Sequence, residues 1–212
     1  MAFSYYITAR AQLGLGPGEN GPEEALQQKV RAAFAAGLDY VQVREKDLPG
    51  GRLERLVGEL AALPEKAASP RQARLLVNER LDLAMACGAD GVHLPADSLP
   101  REAVRARAGA DWIVGVSCHA QEDVEQAAQG GATYVLLGPV FDTPSKPAGQ
   151  PLGIPRLQEI CRHSPVPVFA LGGVTRENAA SCVRAGAAGI AGIRLFQQAS
   201  DLSELCRYVR SL

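Results

Sequence analysis

Short runs of β-branched or apolar residues recur at 5–8, 40–44, 75–78, 91–94, 113–117, 134–138, 166–171 and 189–193. Between them lie segments with apolar residues at helical spacing, over 23–36, 53–63, 80–86, 101–108, 121–129, 154–162, 176–185 and 202–209. The pattern predicts eight strands alternating with eight helices. Gly37, Gly88, Gly130 and Gly186 each follow a helix and precede a strand, where a left-handed C-cap is least strained without a Cβ. The phrases Ala36-Gly37-Leu38-Asp39-Tyr40, Cys87-Gly88-Ala89-Asp90-Gly91, Gly130-Gly131-Ala132-Thr133-Tyr134 and Ala185-Gly186-Ala187-Ala188-Gly189 read as one recurring turn.

Strict β–α alternation implies parallel strands joined by right-handed crossovers, and eight such units close into an α/β (β/α)8 TIM barrel at the short end of its size range. An open doubly wound sheet is the competing arrangement. Residues 1–212 read as one catalytic domain. Two connections, 9–22 and 139–153, are longer than usual, and both follow strands, on the face where barrel active sites form.

Charge and composition narrow the partners. The 212 residues carry 22 basic and 23 acidic side chains, a net charge of −1, with no long run of one sign. Nothing marks a surface built to follow a nucleic-acid backbone or an anionic membrane, so a small-molecule partner is expected, with a homo-oligomer left open. The start of the chain has no basic segment followed by an apolar run, and no stretch nears the roughly 20 apolar residues of a membrane helix. A soluble cytoplasmic protein is expected. The five cysteines form no C-x-x-C pair and read as reduced thiols.

Candidate chemistry gathers at strand ends. Alternation along Val41–Lys46 turns Gln42 and Arg44 to one side, with Lys46 entering the loop, a set that suits a diphosphate. The alternative is a solvated turn in which Arg44 pairs with Glu45 or Asp47. Asn78 reads as a helix cap or a hydrogen-bonder at the mouth, and Glu79 as a carboxylate placed for a hard metal ion. His93 reads as a structural hydrogen-bonder ahead of a catalytic one. Ser117 and His119, two residues apart, both face the mouth, and His119 is the candidate acid or base. No G-x-S-x-G elbow supports covalent catalysis by Ser117 or Cys118. The 139–153 loop reads as a lid carrying Lys146 over an anionic leaving group. Gly172 and Gly173 after strand 7, and Ile193 and Arg194 after strand 8, read as a phosphate cradle, with close helix–sheet packing as the other explanation of the glycines.

These phrases, in this order along nearly the whole chain, resemble the thiamin phosphate synthase family, which includes the related thiazole tautomerases. The resemblance rests on residues 41–46, 77–82, 89–94, 115–119, 138–146 and 171–174. It implies coupling of hydroxymethylpyrimidine diphosphate with thiazole phosphate, giving thiamin phosphate and pyrophosphate. Gln42, Arg44, Lys46, Asn78 and Lys146 would then hold the diphosphate. Ser117 would lie beside the pyrimidine, and Thr143, Gly173, Ile193 and Arg194 around the thiazole phosphate. The resemblance also implies Mg2+. Glu79 stands where the family has an aspartate; Asp97 lies one residue before the second aspartate position, which is Ser98 here. Arg194 replaces a usual serine. The 94–98 stretch is closer to the tautomerases, which would isomerise a thiazole carboxylate phosphate without metal, using His119. A barrel that binds a phosphorylated metabolite without turning it over is the non-enzyme alternative.

Overall fold

The computed structural model describes residues 1–14, 21–96, 98, 100–143 and 150–212. The strands are β1 (Phe3–Ile7), β2 (Tyr40–Val43), β3 (Arg74–Asn78), β4 (Gly91–Leu94), β5 (Ile113–Cys118), β6 (Tyr134–Leu137), β7 (Val168–Ala170) and β8 (Gly189–Gly192). They pair in that order, all parallel, and β8 returns to β1, with Tyr5 opposite Ala191. The closed barrel excludes the open sheet.

The helices are α1 (Pro22–Ala35), α2 (Gly50–Ala61), α3 (Pro64–Ala67), α4 (Leu81–Ala86), α5 (Arg101–Ala108), α6 (Gln121–Gln129), α7 (Gly153–His163), α8 (Arg176–Arg184), α9 (Arg194–Gln197) and α10 (Leu202–Ser211). α2 buries Leu53, Leu56, Val57 and Leu60, and α10 buries Leu202, Leu205, Cys206 and Val209. Each set lies at i, i+3, i+4, i+7, a single stripe laid on the barrel. Outward strand residues such as Val41, Val43, Leu75 and Val77 complete that core layer. Because the strands are covered outside and filled inside, they read as near-continuous apolar runs. Among the described residues, no helix is long and apolar enough to cross a membrane, and all five cysteines are free thiols.

The barrel interior is unusually aromatic. Tyr5 stacks on Tyr40 at 5.6 Å between centroids, and Phe169 meets Tyr134 edge-on at 5.3 Å. Rings this large fit because neighbouring strands contribute glycine. A Cβ on Gly115 would overlap the Tyr134 ring, and one on Gly189 would come within 2.7 Å of the Phe169 ring.

At the N-terminal end of the strands, the recurring turn has a physical basis. The left-handed residue is Gly37, Gly88, Gly131 or Gly186 (φ +74°, +69°, +81° and +99°). This corrects one expectation: Gly130 has φ −76°, and Gly131 takes the strained position. In three turns the residue two places later accepts a backbone N–H from the preceding strand. Asp39 Oδ2 accepts from Ser4 at 2.9 Å, Asp90 Oδ2 from Leu75 at 2.8 Å, and Thr133 Oγ1 from Val114 at 3.1 Å. The fourth turn has Ala188 at that place. Asp39, buried, also accepts from Ser4 Oγ at 2.8 Å and from Arg71 Nε at 3.0 Å.

Candidate active site

At the C-terminal end, β2 delivers Gln42 into the barrel, almost fully buried, and Arg44 one step higher. The neighbouring acids do not pair with Arg44. Glu45 accepts from Thr8 Oγ1 at 2.6 Å and from Arg10, while Asp47 makes a two-pronged contact with Arg10, both at 2.7 Å. Arg10 thus neutralises both carboxylates, and among the described residues Arg44 is drawn into no ion pair. Lys46, half-exposed, approaches Glu79 Oε2 at 3.9 Å.

Polar side chains from six strands meet inside the barrel in one hydrogen-bonded chain. Ser117 Oγ lies 2.9 Å from His93 Nε2, and His93 Nδ1 lies 3.0 Å from the Tyr134 hydroxyl. The Tyr134 and Tyr5 hydroxyls are 2.7 Å apart. Tyr5 donates to Gln42 Oε1 at 3.1 Å, Gln42 Nε2 to Asn78 Oδ1 at 2.9 Å, and Asn78 Nδ2 to Glu79 Oε2 at 2.8 Å. Asn78 is therefore bound within the mouth and caps no helix; the residue before α4 is Arg80. Burial pushes the two tyrosines above their ordinary values. Burial, followed by the charge of Arg44, pushes His93 down to about 3, so its ring is neutral.

Glu79 adopts a left-handed backbone, φ +63°. For a non-glycine this is strained by roughly 1–3 kcal/mol, a strain that concentrates at functional sites. The tight turn it makes sets the carboxylate beside Asn78 and Lys46. Among the described residues no three His, Cys, Asp or Glu side chains converge to hold a metal by themselves. Mg2+ commonly takes only one or two carboxylates and completes its shell with substrate phosphate and water, so the half-exposed Glu79 fits that mode. Asp97 and Lys146 lie outside the described residues.

His119 sits on the rim between β5 and β6. Its Nδ1 donates to the Gly138 carbonyl and its amide to Asp123 Oδ2 at 2.8 Å. It is exposed.

The ends of β7 and β8 form the opposite rim. Gly172 and Gly173 have φ +92° and +65°, and the segment after β6 lies against them. Val140 and Phe141 donate their amides to the carbonyls of Leu171 and Gly172 at 2.9 and 3.0 Å. A Cβ on Gly172 would come within 2.6 Å of Pro139, and one on Gly173 would strike Phe141 and the Asp142 carbonyl. Packing alone therefore requires both glycines, here against a loop and not a helix. The same contact brings Asp142, and Thr143 after it, to this rim. Ile193 precedes α9 and Arg194 opens it. A short helix after the last strand is the usual anion-binding element of such barrels. α9 is fixed by Gln197, which accepts from Tyr6 at 2.9 Å and donates to the Ala9 carbonyl at 3.0 Å. Arg194 is exposed and, among the described residues, in no ion pair.

Sequence reasoning missed Arg10, Tyr5, Tyr134 and Gln197. Their partners lie 35 or more residues away, beyond any local pattern. A hollow of about 720 Å3 on the flank by α4 shares only Glu79 with this set; its wall is chiefly Arg80, Leu81, Asp82, Met85 and Arg107. It lacks the convergent groups of the mouth.

Comparison with known proteins agrees with this geometry. Residues 15–196 match the family model described as thiamine monophosphate synthase. The thiamine-phosphate synthase of Roseiflexus castenholzii is 43% identical over 93% of this chain and 82% of its own length. That of Moorella thermoacetica is 36% identical over 86% of each. Among solved structures, thiamine phosphate pyrophosphorylase from Pyrococcus furiosus superposes with a TM-score of 0.81 at 28% identity, over 99% of this chain and 94% of that one. The chain belongs to the thiamine monophosphate synthase family.

Proposed function

We propose that this chain joins hydroxymethylpyrimidine diphosphate to a thiazole phosphate, releasing pyrophosphate and forming thiamin phosphate, at the C-terminal mouth of its barrel. The observation that carries the site assignment is the diversion of Glu45 and Asp47 to Arg10, which leaves Arg44, near Lys46, in no ion pair among the described residues. A guanidinium that no neighbouring carboxylate takes up at a barrel mouth is ready for a phosphate oxygen pair.

In this reaction the bond between the pyrimidine methylene and the diphosphate oxygen breaks, and its electrons leave with the diphosphate. The ring nitrogen of the thiazole then supplies the pair for the new C–N bond. Negative charge grows on the leaving group, so the fixed cations lower the barrier. Gln42, Arg44, Lys46 and Asn78 are assigned to the diphosphate, together with Lys146 on its sequence position. Ser117 is assigned to the pyrimidine. Thr143, Gly172, Gly173, Ile193 and Arg194 are assigned to the thiazole phosphate. Glu79, with Asp97 by sequence, would hold Mg2+, which when bound neutralises diphosphate charge. The free thiols accord with a reducing, cytoplasmic setting.

The purified chain is expected to release pyrophosphate from the two substrates with Mg2+ present. Arg44→Gln should lower kcat/KM by about 100- to 1,000-fold, with unfolding free energy within about 0.5 kcal/mol of the parent. A folded protein that releases no pyrophosphate would overturn the reading, and metal-independent isomerisation of a thiazole carboxylate phosphate would replace it with the tautomerase reaction.

A further inference from the structure

The hydrogen-bonded chain inside the barrel admits two proton orders, and its ends differ. An ionised carboxylate only accepts. Glu79 Oε2 therefore takes the amide N–H of Asn78, which turns Asn78 Oδ1 to Gln42 and obliges Gln42 to donate there. Gln42 Oε1 then accepts from Tyr5, so the Tyr5 oxygen must accept the hydroxyl proton of Tyr134. Tyr134, having donated, accepts from His93 Nδ1–H. The neutral ring then has a bare Nε2, which accepts the Ser117 hydroxyl proton. With the order reversed every bond could still form, except that Asn78 Oδ1 would face the Glu79 carboxylate, oxygen against oxygen.

We propose that Glu79, acting through this chain, fixes Ser117 as a hydrogen-bond acceptor toward the mouth, and that the site thereby selects a ligand presenting an N–H donor over one presenting a carbonyl. Glu79, Tyr5, Tyr134 and His93 are positioning residues for this selection; Ser117 is the end of the chain that meets the ligand's N–H. The identity of that ligand rests on the synthase reading: the exocyclic amine of the pyrimidine is such a donor. It becomes a stronger one as the departing diphosphate leaves positive charge on the ring. An oxo analogue offers a lone pair to a lone pair.

The test reads the histidine first, in the free protein. In 15N-histidine-labelled protein, His119 and His163 are exposed and can be replaced by asparagine to leave the His93 signals. At neutral pH His93 is expected as the pure Nδ1–H tautomer. Glu79→Gln, a change on a half-exposed side chain that should not disturb folding, gives the chain an end that donates or accepts. It is expected to convert His93 into a mixture of tautomers. A wild-type Nε2–H tautomer, or a Glu79→Gln variant with unchanged His93 signals, would overturn the proposal. The second arm compares kcat/KM for the aminopyrimidine diphosphate and its oxo analogue. The ratio cancels any loss of turnover common to both, and Glu79→Gln should reduce it by about tenfold or more. An unchanged ratio despite a changed tautomer would overturn the role in selection. If neither compound reacts with the wild type, the synthase reading fails while the tautomer result still decides the proton order.

Discussion

The two ends of this barrel use polar side chains in opposite ways. At the N-terminal end, Asp39, Asp90 and Thr133 each bind a backbone amide of the strand before them. At the C-terminal end, Ser117 binds His93 and Gln42 binds Asn78, the two pairs joined through Tyr134 and Tyr5, and Arg44 and Arg194 enter no ion pair among the described residues. The first arrangement fixes the scaffold and spends every polar group on it. The second holds side chains in place while leaving charge for a ligand. Substitutions at the lower end should accordingly act on stability, and those at the upper end on turnover.

Asp39→Ala offers the most severe test of that division. It strands the Ser4 amide and removes the partner of Arg71 from a site only 4% exposed. Leaving the buried Ser4 amide and hydroxyl unsatisfied, with partly exposed Arg71 unpaired, costs about 3 kcal/mol, which for a chain of this size lowers Tm by roughly 10 °C. Thermal unfolding should show this loss while the folded fraction keeps its kcat/KM; a matching fall in kcat/KM would mean the ends are not separable.

His93 probes the upper end by pH. Its value is about 3 in the fold, against 6.5 ordinarily. Between those pH values the unfolded chain binds more protons, so stability is lost as pH falls from 6.5 toward 3. From pH 7 to 5 the parent should lose about 2 kcal/mol more than His93→Gln. Equal losses in denaturant titrations would show that His93 is not held neutral.

The smallest effect sharpens the lower end. Ala188 occupies the place of Asp39, Asp90 and Thr133, in a matching register, Phe169 opposite Gly189. Ala188→Thr would offer its hydroxyl to the Val168 amide and should add about 1 kcal/mol. No gain would mean that the three existing contacts depend on more than register.

Much of this was readable in advance because it is local. All eight strands fall within two residues of the spans set by apolar runs and glycine turns. Alternation along β2 turned Gln42 inward, where it is buried against Tyr5. α3, α9 and the 3-10 turn at Arg10–Gln12 escaped notice, since three or four residues carry no full hydrophobic period. The pairing of Arg10 with Glu45 and Asp47 was equally invisible: the sequence offered Arg44 as their neighbour, and only the fold brings Arg10 across from the loop after β1. The glycines after β7 read in sequence either as room for a ligand or as close packing against a helix, and the close packing is there, made by the segment after β6. A missing side chain reveals close approach, but not by what.

Gly115 carries a consequence of another kind. The residues lining a barrel are commonly pictured as separate storeys, each filled by its own strands. By leaving its place empty, Gly115 lets the Tyr134 ring rise from the storey of Tyr40 and Phe169 to reach Tyr5 and His93 above. The foundation and the working floor thus share a beam, and repacking the aromatic foundation for stability would be felt at Ser117.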